Sequence, residues 1–404
     1  MKYNILTILY LTIFIQGKKL IFLDEEKDFS NKGKTNGIIH FINCGKGDSI
    51  LIEQNGRFGL IDSCRSYLGA KDVVESLGKG QEKSPDKSVQ AVVNYLNHLE
   101  VTHLDWILAT HAHPDHIGGM PQIAYHFVDE TTKYLYKQYR KTKENNEDFF
   151  TVAYNSMKTK GAQLRDLTDK TYEFDFGEMH FELINTNIHK KETKSGENQN
   201  SIATIVTYKN KRIFLASDLE MEDELTYKDH IGKIDLLKMS NHGVGSSSFE
   251  FLNITRPNYT IITNYEFPDN AIFPTAFLQQ IEGGEVYYVG GIATTTEDIP
   301  NSAIRLYLTE DTSDNDEETK YHLYLENTGE NYNIEKNQLE GLINYDYYTF
   351  LFEYGKIMTG LHHLKWESNN CRYYFESDGH MIKDSCLIID GKELCFNKNG
   401  CYSK

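Results

Sequence analysis

Three histidines and an aspartate fall within six residues of this chain, and this cluster constrains the fold more than any other feature. The segment Thr110-His111-Ala112-His113-Pro114-Asp115-His116 directly follows the apolar stretch Trp106–Ala109, a pattern that predicts a strand ending in a polar turn. Imidazole nitrogens and a carboxylate oxygen are ligand atoms for zinc, manganese or iron. Burying such groups without partners is costly, so the segment predicts a metal site at a sheet edge.

Two later strands are expected to deliver further ligands to the same site. Arg212–Ala216 leads into Asp218, and Asp235–Met239 leads into Asn241 and His242. Residues at the ends of strands from distant segments can assemble a preorganised site. This favours metal ligation by Asp218 and His242 over the alternatives, a turn residue for Asp218 and an ordinary loop histidine for His242. Asn241 is a candidate hydrogen-bond donor to developing oxyanion charge, and its alternative is an ordinary turn residue.

Up to about residue 330, β-rich segments and amphipathic helices alternate, which predicts an α/β domain with two sheets. Residues 130–170 are expected to be helical or loop-like, and Ala303–Leu325 to form a hairpin with an acidic tip. Helices are expected at Ser88–Leu99 and Met120–Phe127. Strands are expected at 38–43, 49–54, 57–62, 171–175, 179–184, 201–207, 212–216, 235–239, 260–264 and 286–289.

Charge and composition exclude several protein classes. The chain has 404 residues and a formal net charge of −17, which disfavours a protein that coats nucleic acid. No stretch reaches the roughly 18 apolar residues of a membrane span. Residues 1–17 combine Lys2, a short apolar run and Gly17, which indicates a secretory signal peptide. The alternative is a buried N-terminal strand.

Cysteine usage agrees with a secreted protein. Cys371, Cys386, Cys395 and Cys401 crowd the C-terminal end of the chain, and an even cluster in a small secreted module indicates disulfides, with three pairings open. A zinc knot is the alternative, but paired C-x-x-C knuckles are missing. Cys44 and Cys64 follow neighbouring predicted strands and form either a third bridge or two buried thiols.

The tail from residue 345 to 404 differs in kind from the rest. Phe352 with Gly355, Phe375 with Gly379, and Phe396 with Gly400 form a recurring aromatic-glycine pattern. Units this short cannot bury a core alone, so the pattern predicts an all-β module of stacked hairpins. Chance recurrence in a Tyr-rich chain is the alternative. All proposed ligands precede residue 243, so we expect the module to be an anchor that the metal site does not need.

The ordered set of Asp62, the His-rich turn, Asp218 and His242 resembles the metallo-β-lactamase superfamily of binuclear metallohydrolases over roughly residues 36–310, within a domain expected to span 36–330. The resemblance implies an αββα sandwich that holds two divalent metal ions, taken as zinc. It assigns His111 and His113 to the first metal, and Asp115, His116 and His242 to the second. It makes Asp218 the bridging ligand and Asp62 the carboxylate that holds the His turn.

This chain departs from that family in one respect that affects the first metal. Family members often supply a further histidine after a strand between the His turn and the bridging Asp. His180 and His189 lie in that region, but Asn200-Ser201 opens the corresponding strand. The ligand is therefore expected to be missing or replaced.

Two branches of the superfamily are most similar. Residues 39–49 resemble the extracellular hydrolase domain of competence DNA-uptake proteins. The segments at 39–43, 104–107, 176–179 and 233–238 resemble the phosphorylcholine esterases of teichoic acid, and residues 372–381 resemble their choline-binding, cell-wall-binding repeats. The tail carries Leu361, Arg372 and Cys386 where those repeats usually have Trp, and keeps Trp366. Choline is bound by cation–π contact with aromatic side chains. The alternative is therefore a module that no longer binds choline.

The resemblance implies hydrolysis, because two cations about 3.5–4 Å apart lower the pKa of a bridging water to near 7. We expect a secreted phosphodiesterase, either free or wall-attached, whose metal-bridging hydroxide attacks phosphorylcholine-like or other cell-wall or glycoconjugate esters. The alternatives are a secreted nuclease of the competence type, a wall-binding protein whose hydrolase domain is a scaffold, and lactam hydrolysis.

Overall fold

The computed structural model describes residues 34–66, 86–139, 147–187, 196–245, 247–289, 302–311, 320–326, 330–331, 339–366 and 369–403. The predicted signal segment, residues 1–17, lies outside this range, as does His189. No helix among the described residues is long and apolar enough to cross a membrane.

Sixteen strands among the described residues precede the tail. They are β1 Lys34–Ile42, β2 Ile50–Gln54, β3 Arg57–Ile61, β4 Trp106–Ala109, β5 Lys133–Tyr136, β6 Gln163–Asp166, β7 Tyr172–Phe176, β8 Met179–Ile184, β9 Ala203–Tyr208, β10 Lys211–Leu215, β11 Leu236–Lys238, β12 Tyr259–Ile262, β13 Glu285–Tyr288, β14 Ala303–Asp311, β15 Lys320–Glu326 and β16 Glu330–Asn331.

The described α-helices are α1 Lys87–His98, α2 Pro114–Ile117, α3 Met120–Phe127, α4 Glu147–Thr159, α5 Met221–Ile231, α6 Phe249–Thr255 and α7 Ile272–Gln280. Short 3₁₀ segments lie at Gly196–Asn200, Ser240–Gly243 and Asp269–Ala271. The predicted helices at 88–99 and 120–127 are therefore confirmed.

The strands form two eight-stranded sheets that pack face to face. Their orders are β15-β14-β1-β2-β3-β4-β5-β6 and β16-β13-β12-β11-β10-β9-β8-β7. One apolar cluster joins the facing sides of the two sheets. A second cluster covers the outer side of the first sheet with α1, α3 and α4, and a third covers the second sheet with α6 and α7. The predicted αββα sandwich is confirmed.

One stretch of the secondary-structure prediction is wrong. Residues 130–170 were expected to be helical or loop-like, but they contain β5 and β6 on either side of α4. Both strands have only four residues and extend the first sheet in parallel from β4. Strand β6 has no fully buried residue, so its sequence carries no apolar signal.

The tail contains three small antiparallel sheets, which confirms the predicted all-β module. Their strands are β17 Gly341–Tyr345, β18 Tyr348–Glu353, β19 Lys356–Ile357, β20 Gly360–Trp366, β21 Asn369–Phe375, β22 Ser385–Ile389, β23 Lys392–Phe396 and β24 Tyr402–Ser403. Disulfides join Cys371 to Cys401 and Cys386 to Cys395. Cys44 and Cys64 are also bonded, so the zinc knot and the buried-thiol alternative are both excluded.

The first tail hairpin packs directly on the sandwich. Phe350 and Phe352 are fully buried in the same apolar cluster as α6 and α7, and Ile357 N donates a hydrogen bond to Gln280 Oε1 at 2.7 Å. Phe249 N also donates to the Asp346 carboxylate at 2.8 Å. The hairpin of residues 341–357 is therefore packed into the apolar core of the sandwich. That the metal site does not need the tail stays a prediction.

Candidate metal centre

The predicted ligands converge because the strands that precede them end at one edge of the sandwich. Strands β10, β11 and β12 are parallel neighbours, and Asp218 and His242 follow the first two of them. In the other sheet β3 and β4 are parallel, and they lead to Asp62 and to the His turn. Parallel strands end at the same sheet edge, where the side chains that follow them can meet.

His111, His113 and Asp218 form one group of candidate ligand atoms. His111 Nε2 lies 3.0 Å from His113 Nδ1 and 4.0 Å from Asp218 Oδ2. The spacing of the two rings therefore suits a shared cation bound through Nε2 of His111 and Nδ1 of His113.

Asp115, His116 and His242 form a second group, and Asp218 reaches this one as well. His242 Nε2 lies 3.6 Å from Asp115 Oδ2 and 3.4 Å from Asp218 Oδ1. His116 Nε2 lies 3.2 Å from Asp218 Oδ2. Asp218 therefore stands between the two groups, in the position expected of a shared ligand.

Unpartnered polar atoms show that the centre fits divalent cations. His116 Nε2, His242 Nε2 and Asp218 Oδ1 are buried and face one another at 3.2–3.4 Å without a well-formed hydrogen bond. Leaving polar atoms in this state costs free energy that coordination to a cation would offset. All six predicted ligands occur in the two groups, and His113 and Asp115 are only partly buried. The centre is therefore accessible from the side of those two residues.

Hydrogen bonds to Nδ1 of His111 and of His116 keep the Nε2 atoms of both rings directed at the centre. Asp62 Oδ2 lies 2.7 Å from His116 Nδ1, as expected for the carboxylate that holds the His turn. Thr110 Oγ1 donates to Asp62 at 2.7 Å and lies 3.1 Å from His111 Nδ1. Because its single proton goes to Asp62, Thr110 accepts from His111 Nδ1–H, which leaves Nε2 of His111 as the ligand atom.

Burial and charge determine the protonation of the centre. Burial lowers the pKa of His116, but the carboxylates of Asp218 and Asp62 outweigh it and raise the pKa well above its usual value. Burial raises the pKa of Asp218, but His116 and His242 hold it well below its usual range. Coordination requires neutral imidazoles, so cation binding is expected to release protons from these histidines.

A buried polar segment lies next to His111, in the region where the sequence departs from the family pattern. The His180 side chain is 45% exposed and pairs with Asp175 at 2.8 Å, so it does not join the centre. The 3₁₀ segment Gly196–Asn200 is buried, and Ser201 Oγ next to it lies 3.3 Å from His111 Nδ1. Burial raises the pKa of Glu197, and the hydrogen bond that Asn200 Nδ2 donates to it at 3.0 Å opposes this shift, as does the charge of His113. Sequence reasoning missed Glu197.

Sequence reasoning also missed Asp48 and Lys238, which lie among the predicted ligands. Asp48 is 1% exposed and groups with Asp62 and His116 on one side and with Asp218 and His242 on the other. Lys238 is fully buried and its Nζ contacts the Asp48 carboxylate. A lysine inside an apolar strand was the available signal, since lysine is rarely buried without a partner.

Asn241 has a clear structural role. Its backbone is left-handed, with φ of 45°, and its Nδ2 donates to Val244 O at 2.7 Å. These contacts are those of a turn residue that shapes the loop around His242. The oxyanion role of Asn241 stays a prediction.

Comparisons with known proteins bear on the region that carries most of this centre. Residues 85–245 match the sequence model of the family described as the Beta-lactamase superfamily domain. Recombination protein 2 of Haemophilus influenzae is 22% identical over 252 residues, which cover 60% of this chain. This chain spans about a quarter of that protein, since the match covers 27% of it.

Similar solved structures are distant. CmlA, a diiron β-hydroxylase from Streptomyces venezuelae, is 11% identical with a TM-score of 0.38, over 64% of this chain and 53% of that one. The choline binding domain of Spr1274 from Streptococcus pneumoniae is 21% identical with a TM-score of 0.14, over 16% of this chain and 94% of that one. These scores are too low to support a functional argument. The sequence match over residues 85–245 and the αββα sandwich both agree with the resemblance to this superfamily.

Proposed function

We propose that this protein is a metal-dependent phosphodiesterase. The observation that carries the proposal is the position of Asp218, within 4.0 Å of ligand-type nitrogens of both His/Asp groups. Asp218 would be shared between two cations held by the two groups. Such a pair supplies Lewis acidity and a water of lowered pKa, and it can stabilise both the attacking and the leaving oxygen of a phosphodiester.

The residues of the chain would orient the reacting groups. His113 and Asp115 lie on the accessible side, so a phosphodiester would approach the centre there. The buried Asp62 and Thr110 fix the His turn and so hold the ligand atoms in place before substrate arrives. The proton released in the reaction would leave through the same open side, where solvent reaches Asp115.

We propose a phosphorylcholine-like or other cell-wall or glycoconjugate ester as the substrate. The tail's resemblance to cell-wall-binding repeats supports this choice, and so does the net charge of −17, which repels long polyanions. Two lysines of the site region, Lys137 and Lys238, are buried and bound to internal acceptors. They do not contribute to a surface track for a nucleic-acid backbone.

A nuclease is the second candidate, and the similarity to Recombination protein 2 favours it.

We also propose that the protein acts outside the cell. Three disulfides, one of them within the sandwich, support an oxidising compartment, and the predicted signal segment agrees with it.

A substrate panel tests the proposal. Purified protein would be assayed on bis(p-nitrophenyl) phosphate, p-nitrophenyl phosphorylcholine and plasmid DNA, with and without a chelator. Chelation and His113→Ala should both abolish phosphodiester turnover. His103→Ala should not, because His103 pairs with Asp129 at 3.1 Å outside the centre. Turnover that survives chelation and His113→Ala would refute the proposal, and DNA cleavage that falls steeply with salt would favour the nuclease.

A further inference from the structure

Lys238 brings a buried positive charge into the candidate centre. It is the last residue of β11 and is fully buried. Its Nζ contacts the Asp48 carboxylate, donates to Ser217 O at 2.9 Å and lies 3.9 Å from Asp218 Oδ1. A buried ammonium needs such partners, and here all three belong to segments that also position candidate metal ligands.

Asp48 connects this ammonium to His242. Thr263 Oγ1 donates to Asp48 Oδ1 at 2.6 Å and lies 3.1 Å from His242 Nδ1. Threonine has one hydroxyl proton, and Asp48 receives it. Thr263 therefore accepts from His242 Nδ1–H, and Nδ1 also lies 3.4 Å from Asp48 Oδ1. In the neutral ring the lone pair is then on Nε2, the nitrogen directed toward Asp115 and Asp218.

The same ammonium also fixes the segment that carries Asp218. Ser217 O accepts from Lys238 Nζ and from Asn241 N, the latter at 3.0 Å. Ser217 Oγ donates to Thr110 Oγ1 at 2.8 Å, which ties this segment to the His turn. The buried Lys238 ammonium therefore fixes the loop of Asp218 relative to the loop of His242.

We propose that Lys238 is a positioning residue whose ammonium occupies Asp48, keeps that carboxylate out of metal coordination and, through Thr263, presents Nε2 of His242 to the second cation. This inference rests on the metal centre of the proposed function. It assigns Asp48 to the support of the centre rather than to its ligands. It also predicts that the two cation positions respond differently when the Lys238–Asp48 pair is removed.

Equilibrium dialysis with Co²⁺, together with the Co²⁺ absorption spectrum, tests the proposal. The variant Lys238→Met/Asp48→Asn removes both buried charges together, so neither is left unpaired. Thr263→Val removes only the linking hydroxyl, and Thr275→Val is its matched control, since Thr275 is also fully buried but lies in α7. Unfolding of the cation-free proteins would be measured in parallel.

We expect wild-type protein and Thr275→Val to bind two Co²⁺ ions. The double variant should keep the first ion and bind the second about 10–100-fold more weakly, and Thr263→Val should weaken the second ion in the same direction. Unchanged affinity for both ions in Thr263→Val would overturn the inference, even if the double variant fails to fold. Wild-type protein that binds no divalent cation would instead refute the proposed function itself.

Discussion

Asp62 and His116 form a buried pair at the centre, with Oδ2 of Asp62 2.7 Å from Nδ1 of His116. Both side chains are fully excluded from solvent. Asp62 also accepts from the backbone N of Thr110 at 2.9 Å, so one carboxylate fixes both the start and the end of the His turn. Asp62 follows strand β3, whereas the His turn that it holds follows strand β4.

Asp62→Asn should weaken cation binding at the group of Asp115, His116 and His242. The neutral amide no longer favours the Nδ1–H form of His116, so we expect about a 10–100-fold loss of affinity, measured by equilibrium dialysis. Asp105→Asn is the control, because Asp105 pairs with Arg57 at 2.6 Å on the surface. Equal affinity in the two variants would contradict the role of Asp62.

Phe350→Ala should destabilise the whole sandwich. Phe350 is fully buried against α6 and α7, and truncating such a side chain typically costs about 3–5 kcal/mol. Denaturant unfolding would measure this loss. Tyr354→Ala is the control in the same module, since Tyr354 is 91% exposed.

Deleting the chain after residue 340 should have a still larger effect than Phe350→Ala, because it exposes the covered face of α6 and α7. A truncated protein as stable as the full chain would show that the hairpin contributes no stability to the sandwich.

Removing the Cys44–Cys64 disulfide should lower the free energy of unfolding by about 3 kcal/mol. Its loop spans 20 residues, and Cys64 N donates to Asp48 O at 2.7 Å, so cation affinity should fall as well. Cys386→Ser/Cys395→Ser is the matched control: that bridge spans 9 residues at the far end of the chain. Equal cation affinity in the protein without the Cys44–Cys64 bridge and in Cys386→Ser/Cys395→Ser would contradict the link between this bridge and Asp48.

Glu224 should make stability fall as pH rises. Burial raises its pKa to about 8, although the backbone N–H groups of Ser247 and Ser248 oppose the shift. Between the unfolded pKa of 4.5 and the folded value, the native state holds a proton that the unfolded chain has lost. The free energy of unfolding therefore decreases over this range, with a slope of up to about 1.4 kcal/mol per pH unit.

Glu224→Gln keeps an acceptor oxygen and cannot ionise, so its pH profile should be flatter than that of wild type between pH 5 and pH 8. Urea unfolding at several pH values measures both profiles. Parallel profiles for the two proteins would show that Glu224 is already ionised in the native state.

Sequence patterns located the strands and helices that carry strong apolar periodicity. The helix at Met120–Phe127 and the hairpin of β14 and β15 fall where they were predicted. Strands β5 and β6 were missed because each has only four residues, too few for a clear alternation, and β6 at the sheet edge has no fully buried residue. The fully buried Lys238 was not recognised, because nothing local to it reveals the partner that neutralises it.

The sequence by itself determined the chemistry at the centre: the His turn, Asp218 and His242 are ligand types placed directly after strands. It also determined an all-β tail with paired cysteines. Only the tertiary structure decided that Asp48 and Thr263, more than two hundred residues apart in the chain, meet beside His242. It likewise decided the disulfide pairing and the docking of the first tail hairpin on α6 and α7. These depend on packing between distant segments, and local propensity carries no information about such contacts.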